Sequence, residues 1–78
     1  MPVRYGATAE NLNLIHEKAR TKADGVYSFR GLKYRVENGV FTHYADYETG
    51  CIMERVGNFS VTLGPYAAGA ARQVLQAL

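Results

Sequence analysis

The chain has a single cysteine, Cys51, which excludes an internal disulfide framework and gives no basis for a cysteine-rich zinc site. One unpaired thiol fits a reducing compartment. No apolar run comes near the roughly 18 residues that a membrane span needs. The opening Met1-Pro2-Val3-Arg4-Tyr5-Gly6 lacks the apolar core of a signal peptide. A soluble, cytoplasmic protein is expected. Net charge is small as well, at +2, although the charged fraction of 21% is ordinary for a globular protein. A protein that grips duplex nucleic acid through its phosphates carries a larger basic excess, so charge permits such a partner without requiring one. Neither a Gly-x-Gly-x-x-Gly fingerprint nor a P-loop occurs, although there are 8 glycines. His16 and His43 are far apart, and the carboxylates are scattered. No cofactor or metal is expected, and no enzyme motif is present.

What is there describes a folded domain. The apolar fraction of 47% over 78 residues argues against disorder, and the length suits one domain, residues 1–78, near the lower limit for folding without staples. Repeats, low-complexity tracts and linkers are absent.

From Val26 to Leu63 apolar and polar residues alternate, broken at short intervals by turn pairs. Asn38-Gly39 is the strongest hairpin signal, because a type I′ turn needs positive φ at both central positions. Gly57-Asn58 is a second two-residue turn and Arg30-Gly31 a weaker third, while Tyr47-Glu48-Thr49-Gly50 makes a longer connection. Taken together the turns set a register: Val36 faces Phe41, Tyr34 faces His43, His43 faces Glu54, and Glu54 faces Val61.

One face then collects Tyr27, Phe29, Leu32, Tyr34, Val36, Phe41, Ala45, Ile52, Val56, Phe59, Val61 and Leu63, with His43 and Glu54 among them. The other carries Arg30, Lys33, Arg35, Thr42, Tyr44, Met53, Arg55, Ser60 and Thr62 and reads as wet.

Helices flank this region. Residues 1–6 read as a short edge strand or a loose arm. Thr8 is the expected N-cap of a first helix, with Leu12, Ile15, Ala19 and Ala23 on one side, Lys22 in the last turn and Gly25 as its stop. Gly64-Pro65 opens a second helix with the stripe Ala67, Ala70, Ala71, Val74, Leu75 and Leu78, and Gly69 in its interior. The expected fold is α+β in two layers: an antiparallel meander of about five strands with both helices packed on its apolar face.

The uncovered face is the candidate binding surface. Arg30, Lys33, Arg35, Tyr44, Met53 and Arg55 place cations beside an aromatic ring and a thioether, a combination that suits a protein partner and also stacking on single-stranded nucleic acid. A solvated face with long side chains lying over the sheet is the plainer interpretation. His43 and Glu54, with Tyr34 beyond, could orient a general base, but no nucleophile accompanies them, and mutual satisfaction of buried polar groups accounts for the row equally well.

The leading expectation is a non-enzymatic module acting by protein–protein contact, a regulator or inhibitor of the kind that phages and mobile elements carry as accessory proteins. A single-stranded nucleic-acid binder is the alternative, and an enzyme around His43 and Glu54 the third. The alanine-rich second helix leaves monomer and homodimer equally open.

Overall fold

A computed structural model of the chain describes residues 3–78. Its elements in order are α1 (Ala9–Ala19), β1 (Gly25–Phe29), β2 (Leu32–Glu37), β3 (Val40–Asp46), β4 (Cys51–Val56), β5 (Phe59–Pro65) and α2 (Ala71–Gln76). The strands form one five-stranded antiparallel sheet in the order β1-β2-β3-β4-β5, so the α+β meander is as expected. Among the described residues no helix is long and apolar enough to cross a membrane.

The turns follow their chemistry. Asn38 (φ 53°) and Gly39 (φ 77°) both lie in the left-handed region, as a type I′ hairpin requires. Arg30 (φ 48°) and Gly31 (φ 80°) repeat the pattern. Gly57 has φ 61° while Asn58 stays negative, which fits a turn with glycine at its first central position.

Thr8 caps α1, its hydroxyl accepting from the Asn11 amide at 3.1 Å. The helix stops a turn earlier than expected, because the amides of Arg20, Thr21 and Lys22 bond three residues back, to Glu17, Lys18 and Ala19. That tightening ends α-helical geometry before Ala23 and lets Gly25 begin β1. The expected start of α2 at Gly64-Pro65 is also corrected. Both residues still pair in β5, opposite Ile52 and Cys51, and Gly69 has φ 78°, a left-handed conformation that no helix interior tolerates. Only six residues, Ala71–Gln76, are helical.

Two β-bulges change the faces. Val36 pairs with Phe41, but Arg35 pairs with His43 and Tyr34 with Tyr44, leaving Thr42 as the extra residue. From His43 onward β3 therefore shows each side chain to the face opposite the one that strict alternation assigns. Tyr34 does not face His43; the two lie on opposite sides of the sheet. A second shift sets Met53 against Thr62 and Ile52 against Gly64, with Leu63 unpaired between them.

The consequence is a sheet with a core on each side. Ile15 and Ala19 of α1 pack with Leu32, Tyr34, Val36, Phe41 and Tyr44, while Ala71 and Leu75 of α2 pack with Ala45 and Ile52. Tyr44 and Ala45 are chain neighbours on one strand and point to opposite faces, so the helices that cover them do too. The expectation of both helices on one face, in two layers, is overturned: the order is helix, sheet, helix.

A helix as short as α2 has no stability of its own. It is held by Arg35, whose Nη1 donates to the carbonyls of Leu75 at 2.9 Å and Gln76 at 3.3 Å while Nε donates to Glu37 Oε1 at 2.7 Å. A cation at a helix C-terminus complements both the orphan carbonyls and the dipole. Arg35→Ala is expected to cost about 2 kcal/mol, the scale of hydrogen bonds to a charged group. Hydrogen exchange should show amides 71–76 losing protection first.

Met1 and Pro2 lie outside the described residues. From Val3 to Gly6 the expected edge strand or loose arm is replaced by a pinned segment. Asn11, fully buried, donates from Nδ2 to the carbonyls of Arg4 and Gly6, each at 2.9 Å, and its Oδ1 accepts from Arg30 at 3.0 Å. The Gly6 amide in turn donates to the Arg30 carbonyl at 2.9 Å.

Candidate functional site

The six residues of the expected open face do not share a surface. Tyr44 is 4% exposed, buried beneath α1 with Met53 packed beside it. Its hydroxyl donates to Ser60 at 3.0 Å. Arg55 is on the same side, its Nη1 2.9 Å from His16 Nδ1 and its guanidinium 4.9 Å from the Phe41 ring centroid. The bulge at Thr42 separates Arg35 and Lys33 from these, because Arg35 pairs with His43 rather than with Thr42. Arg35 holds α2, and Lys33 reaches Ser28 Oγ at 3.1 Å. Arg30 sits in the β1–β2 turn between Asn11 and the Phe29 ring. The face expected to be open is covered.

His43 does face Glu54, with Nε2 and Oε2 3.5 Å apart. The histidine side chain is 13% exposed and the glutamate 44%, and His43 Nδ1 meets Thr42 Oγ1 at 2.9 Å. The neighbouring members of the row are Arg35 on one side and Val61 on the other. Tyr34 is absent from it, and the hydroxyl beside the imidazole is that of the preceding residue, Thr42. Among the described residues no cluster of His, Cys, Asp and Glu could hold a metal ion.

Tyr66, in the loop before α2, packs against the α2 core and meets Tyr47 edge-on at 6.2 Å between ring centroids. Its hydroxyl is buried without a hydrogen-bond partner among the described residues. Burial pushes the Tyr66 phenol above the usual tyrosine range, with Tyr47, Asp46 and Cys51 adding to the effect. Below about pH 10 the phenol is neutral in both folded and unfolded chains; above it the unfolded chain ionises first, so stability declines as pH rises. Tyr66→Phe is expected to raise stability by about 1 kcal/mol, since an unsatisfied buried polar atom costs at least that much. It should also lessen the alkaline decline. Urea denaturation at pH 7 and pH 10.5 checks both.

The sheet edges differ sharply. At β1 cations stand over half-buried aromatics: Lys18 lies 4.8 Å and Arg30 5.1 Å from the Phe29 centroid, and Lys22 lies 4.6 Å from that of Tyr27. Charge of this kind blocks strand addition. At the other edge β5 reads Phe59-Ser60-Val61-Thr62-Leu63-Gly64-Pro65, without a charged residue. Phe59 is 63%, Val61 37% and Leu63 48% exposed. Val56 and Phe59 are paired, as are Glu54 and Val61, so Val56, Phe59 and Val61 belong to the α2 side of the sheet. There α2 packs chiefly on β1, β2 and β3, and Val56, Phe59 and Val61 stay exposed. An apolar stripe is left bare beside an unpaired strand edge. The expected face assignment of Val56, Phe59 and Val61 as core missed this, because it supposed a helix above them.

No protein-family model, no curated protein and no solved structure matches this chain.

Proposed function

We propose that the chain is a small non-enzymatic binding module acting by protein–protein contact, and that β5 is its docking element. The observation that carries this reading is the contrast between the edges: β1 is guarded by lysines and arginine, whereas β5 is uncharged, apolar and unguarded. An extended segment of a partner adds to such an edge through backbone hydrogen bonds and sets its alternate apolar side chains on Phe59 and Val61. Occupying a partner's strand in this way suits a regulator or inhibitor. A single-stranded nucleic acid finds no common track, since Lys33 and Arg35 are on the side opposite Tyr44 and Arg55.

Tagged parent chain and Val61→Lys are used to capture protein from nuclease-treated lysate, and purified samples of each are sedimented in parallel. Capture, or self-association, that the parent shows and the variant loses supports β5 as the docking edge. Equal capture by both, capture lost with nuclease, or a parent that binds nothing and stays monomeric overturns it.

A further inference from the structure

Three of the arginines are half-buried: Arg30, Arg35 and Arg55. The first meets Glu10 at 3.8 Å and the second Glu37 at 2.7 Å. Arg55 alone among them has no carboxylate partner within the described residues. Its one side-chain hydrogen bond goes to His16 Nδ1. Since a guanidinium only donates, that nitrogen accepts, and His16 is the neutral tautomer carrying its proton on Nε2. The contact leaves the positive charge of Arg55 uncompensated. Among the described residues its other N–H groups have no partner, yet none is sealed from solvent.

Arg55 lines a cleft of about 300 Å³ between α1 and the β4–β5 hairpin. Leu12 and Phe41 give the cleft apolar walls, and Asn13, Asn58 and Ser60 give it neutral polar groups. Among the described residues no lysine, second arginine or acid lines it. The Phe41 ring beneath Arg55, with His16 holding one nitrogen, fixes the guanidinium plane before any ligand arrives, which lowers the ordering cost of binding. A cation without an anion beside apolar walls is complementary to an anion with an apolar body, and a single cation matches a single negative charge.

We infer that this cleft is a binding site for a monocarboxylate carried on a flat or aromatic apolar group, with Arg55 as its anchor. The site is distinct from strand addition at β5 and stands whether or not that edge pairs. The carboxylate is that of a free small acid or of a peptide's C-terminus, and the same chemistry serves both.

The test is amide chemical-shift titration of the full chain with four probes: hippurate, its neutral amide hippuramide, phenyl phosphate, and acetyl-Gly-Gly-Phe with a free carboxyl. Hippurate or the peptide should shift the Leu12, Asn13, Phe59 and Ser60 amides, with hippuramide at least tenfold weaker. Arg55→Gln should weaken the carboxylate at least tenfold and leave hippuramide unchanged. Tighter binding of hippurate assigns the site to a small acid; tighter binding of the peptide assigns it to a chain terminus. Equal binding of hippurate and hippuramide, preference for phenyl phosphate, shifts confined to other residues, or no binding by any probe overturns the proposal. The comparison of acid with amide uses the parent chain, so it stands even where Arg55→Gln fails to fold.

Discussion

Replacing Asn11 with leucine is expected to destabilise the fold by about 3 kcal/mol, the scale set by leaving buried polar groups unpaired. Leucine fills nearly the same volume and keeps the helix, so the loss isolates the amide. Two carbonyls, of Arg4 and Gly6, lose their donor, and Arg30 loses its acceptor. Partial access of water to those carbonyls keeps the cost below the sum of three such losses. For a chain of 78 residues total stability is on the order of 4–12 kcal/mol, so this one amide decides a large fraction of it. The melting temperature should fall by roughly 15 °C, given about 4–8 °C per kcal/mol in a domain of this size. Asn13→Leu, on the exposed side of the same helix, should change stability by less than about 0.5 kcal/mol. Calorimetry on both variants checks the contrast; equal melting temperatures would remove Asn11 from its role as the clasp of residues 4–6.

The second large effect belongs to binding. Val61→Lys sets a charged, hydrated side chain in the middle of the β5 stripe, where a partner strand would have to desolvate it. A central position in an interface carries about 2 kcal/mol or more, which is roughly 30-fold in Kd. The fold itself should be nearly indifferent. Val61 is directly opposite Glu54, and a lysine there gains an opposite-charge cross-strand pair that offsets the lower strand propensity of lysine. Titration calorimetry with the captured partner measures the first number and urea denaturation the second. A variant that binds as well as the parent, at unchanged stability, would clear β5 of any part in docking.

Much of the fold was legible because it is written in local chemistry. Asn38-Gly39 and Gly57-Asn58 are turns that few other residues make, and Thr8 is a cap three residues before the amide it accepts. The bulge at Thr42 was not legible, because nothing about a threonine in a strand announces an extra residue, and that one residue reassigns every side chain after it. A trace of the true arrangement was present: Tyr44-Ala45 and Cys51-Ile52-Met53 are runs of adjacent apolar residues, and a strand covered on one face does not need them. They mark the middle of the sheet as buried on both faces. Asn11 was legible in the same sense, since it continues the Ile15–Ala19 stripe at four-residue spacing, a place where a polar side chain must have partners. The candidate surface moved from one place to another for a single reason. Once α1 crossed to the far side, the cations lost their common face and β5 lost the cover it had been given.

The unbroken strand order β1-β2-β3-β4-β5 bears on how the molecule comes into being during synthesis. Each strand finds its neighbour in the residues just before it, so hairpins close early with little loop entropy, and the sheet can assemble strand by strand as the chain emerges. The α1 side is complete once β4 is in place. The other side waits: Ala45 and Ile52 have no cover until residues 71–76 arrive with Ala71 and Leu75. In that interval the half-made molecule shows a bare apolar face as well as the β5 edge, which makes it the form most exposed to chaperones and to aggregation.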